Sequence, residues 1–233
     1  DDAECRKRIE NCNATPVPFS RKKMLDFGAY VKDEKIVIKD ADGSVCEICG
    51  VEELQIPGSH NLENALAACA IAHFAGIDAE VIAKVLQEFQ GVEHRIELCN
   101  EIDGIRFVND SKGTNPDAAI RAIEAMKRDI ILIAGGYDKG ASFDEFVSAF
   151  DGKVKALVLL GKTATKIKDA AEKAGFTNTV ILKDMEACVR EAYRLAESGD
   201  VVLLSPACAS WDMYTSFEQR GEHFKACVRE LER

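Results

Sequence analysis

The 233 residues carry a net charge of −10, with 47% hydrophobic and 30% charged side chains. That length allows one large or two modest domains with cores of their own, and the composition lacks the signature of disorder. The acidic balance argues against a nucleic-acid partner, and no span-length apolar run or signal-like start points to a membrane.

The chain opens on "DDAECRKRIENC", without a methionine, a helix-start signal or linker character, and reads as a truncated piece of something longer. "KIVIKDADGSVCEICG" follows, with alternation around Ile36 and Ile38 and the turn dipeptide Asp42-Gly43, which predicts a hairpin. This opening segment looks too short for a domain and shows no obvious core of its own. Cys46 and Cys49 have metal-ligand spacing, but no second pair or suitably placed histidines accompany them. The expectation is a strand end with two thiols, and no metal site is assigned. The nine cysteines are scattered singly through apolar segments, which suits thiols used as small hydrophobes in a reducing, cytoplasmic setting.

From Gly58 the pattern becomes helical. "HNLENALAACAIAHFAG" has apolar residues at helical spacing and stops at Gly76, and "DAEVIAKVLQEFQG" starts from Asp78 as N-cap and stops at Gly91. Five apolar runs then alternate with five amphipathic stretches, beginning with "IRFVND" and ending with "DVVLLSPA" and the final helix. The fold class expected is α/β: a Rossmann-like, doubly wound, mostly parallel sheet over residues 92–233, with residues 1–91 a separate, incomplete unit.

Ligands of such sheets bind beyond the C-terminal ends of the strands, where this chain places polar clusters. "NDSKGTNP" supplies Asp110, Lys112 and Thr114 just before a helix N-terminus suited to an anion. Capping by Asn115, with Pro116 at the first helical position, accounts for those two residues but leaves Asp110 and Lys112 without a role. "GGYDKG" adds Lys139, and "SPACASWDMYTSFEQRG" adds Ser210 and Phe217 between an apolar strand and the last helix. Asn64, one turn after Asn61, and Arg95 in "HRIE" lie toward the junction of the two parts, where an arginine suits phosphate. His60 and His94 read first as structural, His223 as a surface residue and Cys208 as a buried thiol rather than a nucleophile.

Taken together, "GSHNLENALAA", "HRIE", "NDSKGTNP", "LIAGGYDKG" and "LLSPACASWDMYTSFEQRG" resemble, in order and rough spacing, the Mur ligases of bacterial cell-wall synthesis. The last motif resembles most the branch that adds D-glutamate. The resemblance covers Gly58 to Gly221 and implies that residues 1–91 are the late part of the family's central ATP-binding domain. It further implies ATP-dependent amide formation through an acyl phosphate, with UDP-N-acetylmuramoyl-L-alanine, D-glutamate and ATP as substrates and Mg2+ as cofactor. By position, Asn64 would contact adenine, Arg95 the phosphates and Asp110 the ribose hydroxyls. Thr114 and Lys139 would bind one D-glutamate carboxylate, Ser210 and the Phe217 region the other, and Lys112 would be the catalytic support of that cluster. Trp211 and the aromatics after it would pack the helix entry. A monomer is expected.

Two departures stand out. Gly113 occupies a position where the family often has alanine, expected to loosen the turn slightly. No G-x-x-x-x-G-K-[ST] phosphate loop occurs in the chain, and the family's magnesium ligands would lie upstream of Asp1. The alternatives are another Mur ligase, a folylpolyglutamate synthetase, or a non-catalytic ligand-binding α/β module.

Overall fold

A computed structural model describes residues 3–9, 12–56 and 58–232. The chain divides into two compact units, Asp1–Gln90 and Gly91–Arg233.

The first unit contains α1 (Ala3–Ile9) and a four-stranded sheet of β1 (Phe19–Ser20), β2 (Gly28–Lys32), β3 (Lys35–Lys39) and β4 (Val45–Gly50), in that order. The predicted hairpin is β3–β4, antiparallel and closed by Gly43 at φ 87°. β2 pairs antiparallel with β3 through Asp33 and Glu34, both at positive φ, and β1 adds parallel to β2. Gly28 could carry no side chain, because a β-carbon there would stand 2.1 Å from the Pro18 carbonyl oxygen. The helices α2 (Ser59–Phe74) and α3 (Ala79–Glu88) follow. Gly76 ends the first at φ 87°, while Asp78 sits at the second N-cap without a side-chain cap bond.

The opening segment shares its core with the helices that follow it rather than having one of its own. Ala29, Ile36, Ile38, Ile48 and Cys49 pack with Leu66, Cys69, Ile82 and Leu86. The apolar partners come from α2 and α3, which the strand sequences alone do not reveal. Cys49 belongs to this core and Cys46 packs against it, and burial pushes the Cys49 thiol up to about 11.

The second unit is a six-stranded sheet in the order β5 (Glu97–Ile102), β6 (Ile105–Asn109), β10 (Val201–Leu204), β7 (Ile130–Ala134), β8 (Val154–Leu159), β9 (Thr179–Ile181). All neighbours are parallel except β5–β6, a hairpin turning at Asp103 and Gly104. The strands carry helices on both faces: α4 (Pro116–Ala125), α5 (Asp144–Ser148) and α6 (Ala164–Lys173) on one, α7 (Met185–Leu195) and α8 (Phe217–Glu230) on the other. The strand residues divide accordingly. Ile130, Leu132 and Ala134 of β7 face the first layer, and Ile131 and Ile133 face the second. Burial on both faces explains why these strands are continuous apolar runs, each fully buried side chain contributing roughly 1.5–3 kcal/mol. Among the described residues no helix is long and apolar enough to cross a membrane.

The chain winds outward from β6 through β7 and β8 to β9, then returns so that β10 inserts between β6 and β7. Helices leave β6 and β10 on opposite faces, which opens a crevice at their C-terminal ends.

Candidate functional site

The loop after β6 starts with three buried polar residues, Asn109, Asp110 and Ser111, and ends in Asn115, whose side chain caps α4 by accepting the Ala118 N–H at 2.9 Å. Asp110 is 4% exposed, and its Oδ2 accepts the Ser205 hydroxyl at 2.7 Å from the loop after β10. Burial pushes the Asp110 carboxyl up to about 6, against the hydrogen bonds from Ser205 and the Ile96 amide and the charges of Arg95 and Arg220. At neutral pH it is ionised, a carboxylate able to accept donors from a ligand.

Gly113 is held more tightly than its sequence suggests. A β-carbon on it would stand 2.4 Å from Asp110 Oδ2 and 3.0 Å from Ser205 Oγ, so the glycine makes room for the carboxylate rather than loosening the turn.

Arg95 reaches the same place on a strained loop. It is flanked by His94 at φ 63° and Ile96 at φ 48°, the left-handed region that a β-branched residue rarely adopts. The surroundings enforce that backbone. The His94 N–H donates to Glu97 Oε2 at 2.9 Å, and the Lys112 N–H donates to the His94 carbonyl at 3.0 Å. His94 itself is buried, its Nδ1 3.0 Å from Asn109 Nδ2 and its ring edge-on to Phe217. A structural role for His94 therefore holds, and the exposed Arg95 is displayed beside Asp110.

The loop after β7 and the loop after β10 are bonded to each other. Gly135 N–H donates to the Pro206 carbonyl at 2.9 Å, and Tyr137 N–H to the Ala209 carbonyl at 2.8 Å. Gly136, at φ 145°, permits this approach, since a β-carbon there would be 2.4 Å from the Ala209 oxygen. Lys139 is exposed on the first of these loops, and Ser210 is buried on the second, its carbonyl accepting the Met213 and Tyr214 amides. Cys208 is buried and hydrogen-bonded to Thr163, with its thiol pushed up to about 11 by burial, which is poor chemistry for a nucleophile.

Arg95 stands beside Asp110; Lys112 and Thr114 follow Asp110 on the loop after β6, Ser210 and Phe217 come after β10, and Lys139 lies on the loop after β7. Lys112 is exposed, its ammonium 5.6 Å above the Phe217 ring, and its carbonyl accepts the amide of half-buried Thr114. Asn64 belongs to the first unit. It is exposed on α2, donating to Asn61 Oδ1 at 3.3 Å. Trp211 does not pack the helix entry as expected, since it is 64% exposed, with its ring 5.6 Å from that of Tyr137.

Arg220 was missed. It is 2% exposed, and its guanidinium donates to Ser111 Oγ, Ser111 O and Cys208 O at 2.9, 2.7 and 3.0 Å. The available signal was its register: Phe217, Arg220, Phe224 and Cys227 share one helical stripe, so an arginine occupies a core-facing position.

Mg2+ finds no fitting set here. Among the described residues the one candidate group of three ligands is Glu93, His94 and Glu222, and the Lys225 ammonium already sits 2.5 Å from Glu93 and 2.7 Å from Glu222.

Residues 94–208 match the family model described as Mur ligase, glutamate ligase domain. The chain is 58% identical over 218 residues to a UDP-N-acetylmuramoylalanine--D-glutamate ligase of Thermoanaerobacter sp. (strain X514), covering 93% of this chain and 48% of that protein. It therefore spans about half the length of the curated relatives it matches. Among solved structures it is similar to UDP-N-acetylmuramate-alanine ligase from Thermotoga maritima, at TM-score 0.67 and 18% identity over 92% of this chain and 48% of the other. It is also similar to a MurF ligase of the same organism in complex with ADP, at TM-score 0.61 and 16% identity over 99% of this chain and 53% of the other. At those identities the structural likeness concerns the fold.

Proposed function

We propose that this chain, a member of the Mur ligase family, is the C-terminal half of an ATP-dependent ligase joining D-glutamate to UDP-N-acetylmuramoyl-L-alanine. Residues 1–90 would be the late part of the central ATP-binding domain. In the reaction the terminal carboxylate of the acceptor takes the γ-phosphoryl group of ATP, and the D-glutamate amine then attacks the acyl carbon. Phosphate departs with the C–O bond electrons, and the amine loses its proton. Water must be kept from the acyl phosphate while the amine is aligned.

The observation that carries this reading is the insertion of β10 between β6 and β7, which makes the loops after β6 and β10 neighbours and supports a shared site for nucleotide and D-glutamate there. Asp110 accepts the ribose hydroxyls, and Arg95, a fixed planar cation, meets phosphate oxygens. Asn64 faces the adenine. Thr114 and Lys139 take one D-glutamate carboxylate, the Ser210 hydroxyl and the start of α8 take the other, and Lys112 supports their placement. Mg2+ would neutralise ATP's phosphate charge, its ligands lying outside the described residues. The activity implies a cytoplasmic location.

The test is ADP formation by the intact ligase that contains this chain, with UDP-N-acetylmuramoyl-L-alanine present and D-glutamate, L-glutamate, glycine or L-lysine offered in turn. ADP release that requires D-glutamate supports the proposal. Equal use of another amino acid points to a different member of the family.

A further inference from the structure

We infer that Arg220, acting through Ser111, is a positioning residue that holds the loop after β6 and the loop after β10, which between them carry nucleotide and D-glutamate residues, in one register. The inference deepens the function proposed above and rests on it. The guanidinium is buried, and its hydrogen-bond acceptors among the described residues are two carbonyls and a hydroxyl, with no carboxylate. Its pKa is pushed down to about 10 by that burial, so it remains charged at neutral pH. A buried cation without a bonded counter-ion stabilises a fold poorly, and an apolar residue in the same stripe of α8 would serve packing better. What the arginine adds is geometry: a rigid fork whose donors diverge at fixed angles.

Those donors reach the two loops whose relative placement the reaction needs. Nε and Nη2 hold Ser111, the residue next to Asp110, while Nη1 holds Cys208, two residues before Ser210. The Ser111 hydroxyl accepts from Arg220 and donates to the Phe217 carbonyl at 2.7 Å, so the start of α8 is fixed by the same atoms. The third loop is close as well, since a β-carbon on Gly136 would stand 3.3 Å from Nη1. The paired residues of β6 and β10 end at Asn109 and Leu204, and the Asp110 N–H to Leu204 carbonyl and Ser205 hydroxyl to Asp110 bonds, both 2.7 Å, tie the two loops at their first residues. Beyond that point Arg220 supplies fixed cross-links from α8 to both loops. Displacing one loop therefore displaces the reference for the other.

The experiment uses the intact ligase with Arg220→Lys, Ser111→Ala and the double variant, measuring kcat, KM for ATP and KM for D-glutamate, together with the thermal midpoint. Each single change is expected to raise both KM values about tenfold, as for loss of a charge-assisted bond, and the double variant should resemble the worse single one. Ser111→Ala removes one hydroxyl and carries the test if Arg220→Lys does not fold. A fall in kcat that follows the folded fraction with both KM values unchanged assigns Arg220 to stability and overturns the inference. So does a shift for one substrate alone, or fully additive losses. If the unmodified ligase forms ADP without needing D-glutamate, the proposed function fails instead, and that result is read before any variant is made.

Discussion

Gly221 lies so close to His94 that a β-carbon on it would stand 2.3 Å from the ring Nδ1 and 3.0 Å from Asn109 Nδ2. A glycine inside a helix usually costs about 1 kcal/mol relative to alanine. Here it lets α8 press against the buried His94–Asn109 pair. Gly221→Ala is expected to destabilise the second unit by about 1–2 kcal/mol in spite of the better helix propensity, because neither buried group can retreat freely. Urea unfolding followed at Trp211, the lone tryptophan, reports on that unit; a raised midpoint would contradict the close approach.

Asp110 should make stability depend on pH. Its ordinary value of 3.8 is pushed up to about 6 by burial. Between those values the folded chain keeps a proton that the unfolded chain has lost, so stability falls as pH rises, and the full penalty stands above the folded value. Asp110→Asn should therefore stabilise the chain by up to about 3 kcal/mol near pH 8 and by little near pH 4. The same change should weaken nucleotide binding, since an amide cannot accept two ribose hydroxyls as a carboxylate can. Denaturation midpoints at the two pH values, with ADP titrations alongside, check both halves.

Arg95 and Lys139 should separate kinetically in the intact ligase. Lys139→Ala removes a charge-assisted contact worth roughly 1.5–3 kcal/mol, about one to two orders of magnitude in the use of D-glutamate. Arg95→Ala should weaken ATP use first. Both side chains are exposed, so folding should change little in either variant. Steady-state kinetics with each substrate varied in turn decides it, and equal losses for both substrates in both variants would mean that the site has been divided wrongly.

The 233-residue chain alone is expected to form no ADP from ATP. It contains no G-x-x-x-x-G-K-[ST] loop, and its one described three-ligand group is occupied by Lys225. An ADP assay on the purified chain, free of longer ligase, checks this. ADP release that depends on D-glutamate would show that these residues hold the phosphates themselves.

Much of the second unit was legible because the central parallel strands are apolar on both faces and α4, α7 and α8 begin at their own side-chain caps. β5 was not read. Its burial is only partial, so its periodicity is weak, although Asp103-Gly104 is an ordinary hairpin signal that was available. In the first unit β2 went unread as well, because its three buried residues carry no alternation. The candidate site was legible as motifs at strand ends, since glycines, hydroxyls and cations gather where a strand stops and a helix begins. Arg220 was not, because arginine in a charged-looking helix reads as surface.

By itself the sequence determined local matters: the buried central strands and the helices between them, where those end, and which loops carry chemistry. Those follow from side-chain period, capping and backbone freedom, all of which act over a few residues. Only the tertiary structure decided that β10 lies between β6 and β7, that Ser205 answers Asp110, and that Arg220 bonds residues 109 and 12 positions away. Strand order depends on how the helix layers share two faces of one sheet. The burial that raises the Asp110 carboxyl and charges Arg220 with its task exists only once those layers have closed.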